Sequence, residues 1–189
     1  MGDAKTKRLY GVEDGSFKAF SNRTPSYTYL CCVAMVGNLV EGVQLRKIEV
    51  DGRDATEKLS EMLKDAEAKT IILGGITFAG FNIIDPWRIL HETGVPVIVY
   101  SGKKPDNDGM LRALQSHFED WSERWKIVES LGQIHSLETF PGAPPVYFEV
   151  VGCSADWAAG VLRDSALVSR IPEPVRVAGV IARGLSPLI

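Results

Sequence analysis

The sequence lacks a long apolar run, a cysteine framework and any surplus of positive charge. Its three cysteines, Cys31, Cys32 and Cys153, include no Cys-x-x-Cys pair and no Cys/His spacing suited to zinc. The longest apolar stretch, residues 30–36, is far shorter than the roughly 20 residues that cross a bilayer. The N-terminal residues also lack the apolar core of a signal peptide. We therefore expect a cytoplasmic protein with reduced, packed thiols and no membrane partner.

The charge is modest and unevenly spread. A net charge of −3 over 189 residues argues against a large basic surface for nucleic acid. Acidic residues gather at 51–67 and 106–129, whereas the end of the chain is rich in arginine. These late arginines are Arg163, Arg170, Arg176 and Arg183. The distribution is compatible with a compact metal site beside a small nucleic-acid groove.

The order of strand and helix patterns indicates the fold class. Three strand patterns come first and predict an antiparallel meander, after which helical and strand patterns alternate. The expected strands are residues 9–12, 27–36, 42–50, 70–73, 95–100 and 146–151. The expected helices start near 54, 81, 106 (one helix or two), 155 and 172, the last with Val177, Val180 and Ile181 on its apolar face. This order predicts one α/β domain over residues 1–189, an RNase H-like mixed β-sheet flanked by helices on both faces.

Acidic residues follow several of the predicted strands and turns. Glu13 and Asp14 end the first strand, Asp51 and Asp54 precede the first helix, and Asp85 precedes the second. Carboxylates at neighbouring strand ends can converge, and Mg²⁺ or Mn²⁺ prefers such oxygen ligands. Asp beside Gly also forms turns without any ligand, so both interpretations stay open. Adjacent strand residues face opposite sides, so at most one of Glu13 and Asp14 should face a shared site.

A glycine-rich segment, residues 74–82, lies between a predicted strand and a predicted helix. Its backbone amides could approach a phosphate or base closely, which makes Gly75, Thr77 and Asn82 candidate substrate contacts. The segment matches neither a P-loop nor a dinucleotide fingerprint, and a purely structural loop is the alternative. Arg170 and Arg176 are candidate phosphate contacts, although Arg176 could instead pair with a glutamate one turn earlier.

Several strings resemble endonuclease V in that family's own order. Residues 169–178 are similar to its Arg-Leu-Pro-Glu-Pro-x-Arg-x-Ala segment. Gly11-Val12-Glu13 resembles its Gly-Val-Asp, which contains the first metal ligand, and Gly52-Arg53-Asp54 resembles its Arg-Glu, the second. An archaeal endonuclease V-like family, domain of unknown function 99, is more similar still. Its Asp-Gly-x-Asp-Ala-Thr and Gly-Ile-Thr-Phe-Ala-Gly-Phe-Asn patterns occur at residues 51–56 and 75–82.

This chain departs from the endonuclease V pattern at several positions where that family has functional residues. Endonuclease V has Asp-Gly, its third metal ligand, where this chain has Gly74-Gly75, and Gly-His where this chain has Gly152-Cys153. Gly179 stands where the archaeal family often has His, and no strand-separating wedge is visible between residues 42 and 50. The resemblance thus implies Glu13 and Asp54 as metal ligands, with Asp14 or Asp85 as the assisting acid.

Two functions follow from these observations. The first is a divalent-metal-dependent nuclease or phosphodiesterase acting on DNA or RNA, with Mg²⁺ or Mn²⁺ as cofactor. The second is a non-catalytic nucleic-acid-binding protein that keeps the fold but has lost part of the metal site.

Overall fold

The computed structural model describes residues 8–17 and 26–188. Within these ranges, strands and short helices alternate after an initial meander. The strands are β1 (Arg8–Asp14), β2 (Tyr27–Val36), β3 (Leu39–Glu49), β4 (Thr70–Leu73), β5 (Thr77–Phe78), β6 (Asn82–Ile83), β7 (Val97–Ser101), β8 (His135–Leu137) and β9 (Val146–Val151). The helices are α1 (Ala55–Leu63), α2 (Pro86–Thr93), α3 (Asn107–His117), α4 (Trp121–Glu129), α5 (Ala155–Ser165) and α6 (Glu173–Leu185), followed by a 3-10 turn at Ser186–Leu188.

The main sheet has seven strands in the order β3-β2-β1-β4-β7-β9-β8. The meander β1–β3 is antiparallel, as predicted, and β4 and β7 continue the sheet parallel to β1. β9 and then β8 close the far side in antiparallel pairing. This mixed sheet confirms the predicted RNase H-like class. Because β1, β4 and β7 are parallel, their carboxyl ends meet at one edge of the sheet.

Both faces of the sheet are covered, which explains why β2 is apolar along nearly its whole length. Cys32 points into a core that α1, α2 and α4 cover, whereas Cys31 packs under α6 on the opposite face. The prediction that these neighbouring cysteines face apart is confirmed. A third core lies between β4, β7, β9 and α5. Among the described residues, no helix is long and apolar enough to cross a membrane.

α6 packs on the sheet through small side chains, and two of the residues that the sequence placed on its apolar face, Val177 and Ile181, are partly buried against the same core. The prediction that Val180 lies on the apolar face is wrong, because 56% of this residue is exposed. The residues that α6 buries include Val175, Ala178, Gly179 and Ala182. Such small residues let the helix lie very close to β1. A Cβ on Gly11 would come within 2.1 Å of the main-chain carbon of Pro174.

One helix boundary differs from the sequence expectation, and one alternative that the sequence left open is decided. The helix expected from residue 81 starts at Pro86, since residues 82–83 form β6 and Asp85 is the N-cap. Residues 106–130 form two helices, α3 and α4, which are separated near Phe118. β5, β6 and β8 were not predicted, because strands of two or three residues have too short a pattern to register.

Candidate active site at the carboxyl edge of the sheet

Glu13 and Asp14, here called the acid pair, end β1 at the edge where the parallel strands finish. The Cγ of Glu13 lies against Gly179 of α6, within 2.9 Å of where a Cβ there would be. The carboxylate of Asp14 instead accepts a hydrogen bond from the amide of Ala79. The two side chains therefore leave the strand in different directions, as alternation requires, yet they stay close enough to interact. The Asp14 amide donates to Glu13 Oε1 at 3.3 Å.

The acid pair is half-buried. Burial, together with the negative charge of Asp14, raises the pKa of Glu13 to about 8. Burial also raises the pKa of Asp14, while its hydrogen bond from Ala79 acts in the opposite direction. Arg183 on α6 is the nearby cation, and its charge lowers the pKa of both carboxyls without reversing the shift. Two carboxyls held together with raised pKa values are a site that positive charge stabilises.

Gly74 gives the Glu13 carboxylate its space. β4 ends at Leu73, which lies opposite Val12, and the Gly74 amide donates to the Val12 carbonyl at 2.9 Å. A Cβ on Gly74 would lie 2.0 Å from Glu13 Oε2, a distance that no real side chain could keep. The carboxylate of Glu13 thus lies where a side chain at position 74 would begin.

Asp14 and Asp51 hold the glycine-rich loop, residues 74–82, through hydrogen bonds with its main chain. Asp14 Oδ2 accepts from the Ala79 amide, and the Ala79 carbonyl accepts from the Asp51 amide at 2.8 Å. Asp51 Oδ1 in turn accepts from the Phe81 amide at 2.9 Å. Ala79 and Asp51 both have positive φ, 46° and 59°, which is strained for residues with side chains. The amides of Ala79 and Phe81 thus bind carboxylates of the protein itself, whereas a substrate contact at Gly75 or Thr77 stays a prediction.

Asn82 and Asp54 form a buried network behind this loop. Asn82 is fully buried, and its Nδ2 donates to the Glu49 carbonyl at 2.9 Å and to Asp54 Oδ1 at 2.7 Å. Its Oδ1 accepts from the Ala55 amide at 3.0 Å. Asp54 Oδ1 also accepts from the Glu49 amide, whereas Oδ2 has no hydrogen bond to any described residue. Asp54 occupies the N-cap position of α1, but its side chain makes no capping bond.

The other predicted site residues lie in different surroundings. Asp85 Oδ1 caps α2 by accepting from the Trp87 and Arg88 amides at 3.0 and 3.1 Å. Gly75 and Thr77 lie in the glycine-rich loop, where Thr77 begins β5 and is half-buried. The helix-capping bonds give Asp85 a structural task.

The arginines named from the sequence are held by protein groups. Arg176 binds both oxygens of Glu173, the pairing that the sequence left as an alternative. Arg170 Nη1 donates to the carbonyls of Gly102 at 2.8 Å and Pro145 at 3.0 Å.

Tyr100 in β7 was missed by sequence reasoning. Only 4% of it is exposed, and its hydroxyl has no hydrogen-bond partner among the described residues. The one signal in the sequence was a hydroxyl at the end of a strand that is otherwise aliphatic, Val97-Ile98-Val99-Tyr100.

The donor set suits an ion that needs few protein ligands. In the described part of the chain, no three His, Cys, Asp or Glu side chains converge on one point. Mg²⁺ often takes only one or two carboxylates and completes its shell with water and substrate phosphate oxygens. Two adjacent carboxyls with raised pKa values fit such an ion, because it would supply the positive charge that they lack.

Comparisons with known proteins agree with this architecture. A model of the endonuclease dU family matches residues 5–186. A UPF0215 protein from Thermococcus sibiricus is 41% identical over 179 residues, which is 93% of this chain and 90% of that protein. Another from Methanothermobacter thermautotrophicus is 37% identical over 183 residues, 95% of this chain and 87% of that protein.

Solved structures show the same fold. A protein of unknown function from Archaeoglobus fulgidus superposes with a TM-score of 0.82 at 31% identity, over 96% of this chain and 99% of that one. Endonuclease V from Ciona intestinalis was solved in complex with a 24mer DNA containing an inosine followed by a ribo-adenosine. It superposes with a TM-score of 0.64 at 14% identity, over 96% of this chain and 86% of that one. The chain belongs to the endonuclease dU family, and its fold is similar to that of endonuclease V.

Proposed function

We propose that this protein is a divalent-metal-dependent nuclease that hydrolyses phosphodiester bonds in DNA or RNA at the acid pair. The observation that carries the proposal is the pairing of two neighbouring, half-buried carboxyls, Glu13 and Asp14, at the carboxyl edge of parallel strands. Ligands commonly bind at this edge in α/β sheets. The endonuclease V fold raises the expectation of a nuclease by analogy.

Each nearby residue has a task in this proposal. Glu13 and Asp14 would hold Mg²⁺ or Mn²⁺, and Asp54 stands outside this pair, because no three acids converge among the described residues. Such an ion supplies an activated water and charge stabilisation at phosphorus. Arg183, whose charge already acts on both members of the acid pair, would neutralise a phosphate oxygen. The loop at Ala79 holds Asp14 in place through its amide.

A nicking assay tests the proposal. Single- and double-stranded DNA and RNA would be offered with Mg²⁺ or Mn²⁺, with and without inosine or dU. These bases are chosen because of the bound DNA in the Ciona intestinalis complex and the family's description. Glu13→Gln and Asp14→Asn should each lower cleavage at least 100-fold, whereas the exposed Glu129→Gln should not change it. Cleavage that survives both changes in the acid pair would refute the metal site.

A non-catalytic nucleic-acid-binding protein is the second candidate. It is favoured by the absence of a third converging acid among the described residues and by Gly74 at the end of β4. The same substrates separate the two functions. Salt-sensitive binding without cleavage, and without a metal-induced rise in thermal midpoint, would support the second candidate.

A further inference from the structure

Tyr100 lies in line with the acid pair across three neighbouring strands. Val12 is paired with Leu73, and Leu73 with Val99, so the next residues along, Glu13, Gly74 and Tyr100, also form a row. Gly74 has no side chain, so nothing at that position separates Glu13 from Tyr100. Burial raises the pKa of Tyr100, the charge of Arg170 lowers it and the charge of Glu13 raises it.

The Tyr100 hydroxyl is buried and free. Its oxygen has almost no contact with solvent and no hydrogen bond to any described residue. Buried hydroxyls in folded proteins nearly always have a partner, and an exception calls for a functional explanation. A tyrosine hydroxyl that is not used within the protein can donate to an acceptor on a ligand.

Arg170 faces the same space from the other side. A Cβ on Gly102 would lie 3.5 Å from the Tyr100 hydroxyl oxygen and 3.6 Å from Arg170 Nη2. The guanidinium is fixed through Nη1, which donates to the carbonyls of Gly102 and Pro145. Nη2 makes no hydrogen bond within the described ranges. We call Tyr100, Gly102 and Arg170 the anion cradle: two donors flank a glycine, which places no side chain between them.

The surroundings of the anion cradle favour a negatively charged ligand. Gly102 is partly open to solvent, and the exposed Lys103 and Lys104 follow it. Arg170 forms no ion pair within the described residues, so its charge is not neutralised by a carboxylate of the protein. A fixed guanidinium beside a hydroxyl donor matches an oxygen of a phosphate group.

We propose that the anion cradle binds a non-bridging phosphate oxygen of a nucleic-acid strand, next to the acid pair. The inference rests on the proposed function for the choice of ligand, but its residues are separate from the acid pair. Tyr100 and Arg170 position the strand, so that a phosphodiester lies on the Glu13 side of Gly74. No bond is made or broken at the cradle.

Two substitutions test the cradle in different ways. Tyr100→Phe removes the free donor and keeps the ring, while Gly102→Ala places a methyl group between the two donors at ordinary contact distances. Affinity for fluorescent single- and double-stranded oligonucleotides would be measured in EDTA, where cleavage does not interfere. Each variant should bind about tenfold more weakly than the wild type, as expected for one lost hydrogen bond to a charged group. Gly160→Ala in α5, where a Cβ meets nothing within 4 Å, is the matched control.

The outcomes separate the cradle from the proposed function. If the wild-type protein binds no oligonucleotide, the proposed function and the cradle both fail. If it binds and both variants bind equally well, only the cradle fails.

The thermal midpoint of Tyr100→Phe should not fall, because the hydroxyl has no partner to lose. A fall that parallels the lost affinity would make the hydroxyl structural and overturn the inference. A midpoint shift with inorganic phosphate, without weaker oligonucleotide binding in the variants, would also overturn it.

Discussion

The carboxylate of Glu13 fills the space that a side chain on Gly74 would need. The 2.0 Å between Glu13 Oε2 and a Cβ at position 74 makes the two positions mutually exclusive as the protein stands. The resemblance to endonuclease V implies an acid on each of these two strands, the first an Asp. Here the first strand has the longer Glu, and its extra methylene brings the carboxylate to the end of β4. One long acid and one glycine thus stand where the resemblance implies two acids.

This relationship predicts strong coupling between the two positions. Gly74→Ala should destabilise the wild type by about 1–3 kcal/mol, as overpacking typically does. In a Glu13→Ala background the same change should cost far less, since the obstructing carboxylate is gone. Urea unfolding of the four proteins of this cycle measures the coupling. Equal costs in both backgrounds would mean that Glu13 does not occupy the space beside Gly74.

Asn82 is expected to be structural rather than a substrate contact. Asn82→Ala would leave the Glu49 carbonyl, the Ala55 amide and one Asp54 oxygen without their buried partner. We expect a loss of about 2–4 kcal/mol in unfolding free energy, from several unsatisfied groups and a small cavity. Chemical denaturation tests this directly. A variant with full stability but weaker substrate binding would show instead that Asn82 contacts the substrate.

Glu149 should make the protein less stable as pH rises. It is buried in β9, and burial raises its pKa to about 7 from the ordinary 4.5. The folded state therefore retains a proton that the unfolded state loses, and stability falls between about pH 4.5 and 7 by up to about 3 kcal/mol. Below that window both states are protonated, and above it the full penalty remains.

Glu149→Gln should remove this part of the pH dependence. The variant should be more stable than the wild type at pH 8 and nearly equal to it at pH 4. Thermal or urea unfolding at both pH values measures the difference, and the exposed Glu129→Gln serves as the control. A gap between Glu149→Gln and the wild type that stays constant with pH would show that the carboxyl does not titrate in this window.

Arg183 and Arg176 should differ in their contribution to nucleic-acid binding, although both lie on α6. Arg176 is committed to Glu173, whereas the charge of Arg183 acts on the acid pair. Arg183→Gln should reduce the slope of log affinity against log salt by about 0.7–0.9, the value for one phosphate contact. Arg176→Gln should leave that slope unchanged. Binding titrations over a range of salt concentrations compare the two variants. Identical slopes would show that Arg183 does not contact a phosphate.

The sequence predicted the layers of the fold better than its details. The β1–β3 meander and the opposed cysteines, Cys31 and Cys32, followed from periodicity, because a buried sheet imposes a regular pattern. The packing face of α6 followed only in part. Val177 and Ile181 pack against the core as predicted, but Val180 does not, and the close contact with Gly11 requires small residues that a pattern of large apolar ones does not reveal. Periodicity has no sensitivity to such close backbone contacts.

The site was only partly predictable for a similar reason. Acids at strand ends such as Glu13 and Asp14 are visible as local strings, and register then brings them to one edge. The contacts of Asn82 and Asp85 depend on which amides lie nearby after folding, which no spacing reveals. Tyr100 was hidden because its significance comes from an unused hydroxyl, a property of its surroundings and not of its neighbours in sequence.

The close seating of α6 on β1 has a mechanical consequence. Where Pro174 rests on Gly11, backbone meets backbone without intervening side chains that could change rotamer. Glu13 lies two residues beyond Gly11 on the strand, and Arg183 lies further along the same helix. The acid pair and Arg183 are thus carried by two elements in direct main-chain contact, so the fold itself sets the relative position of these elements.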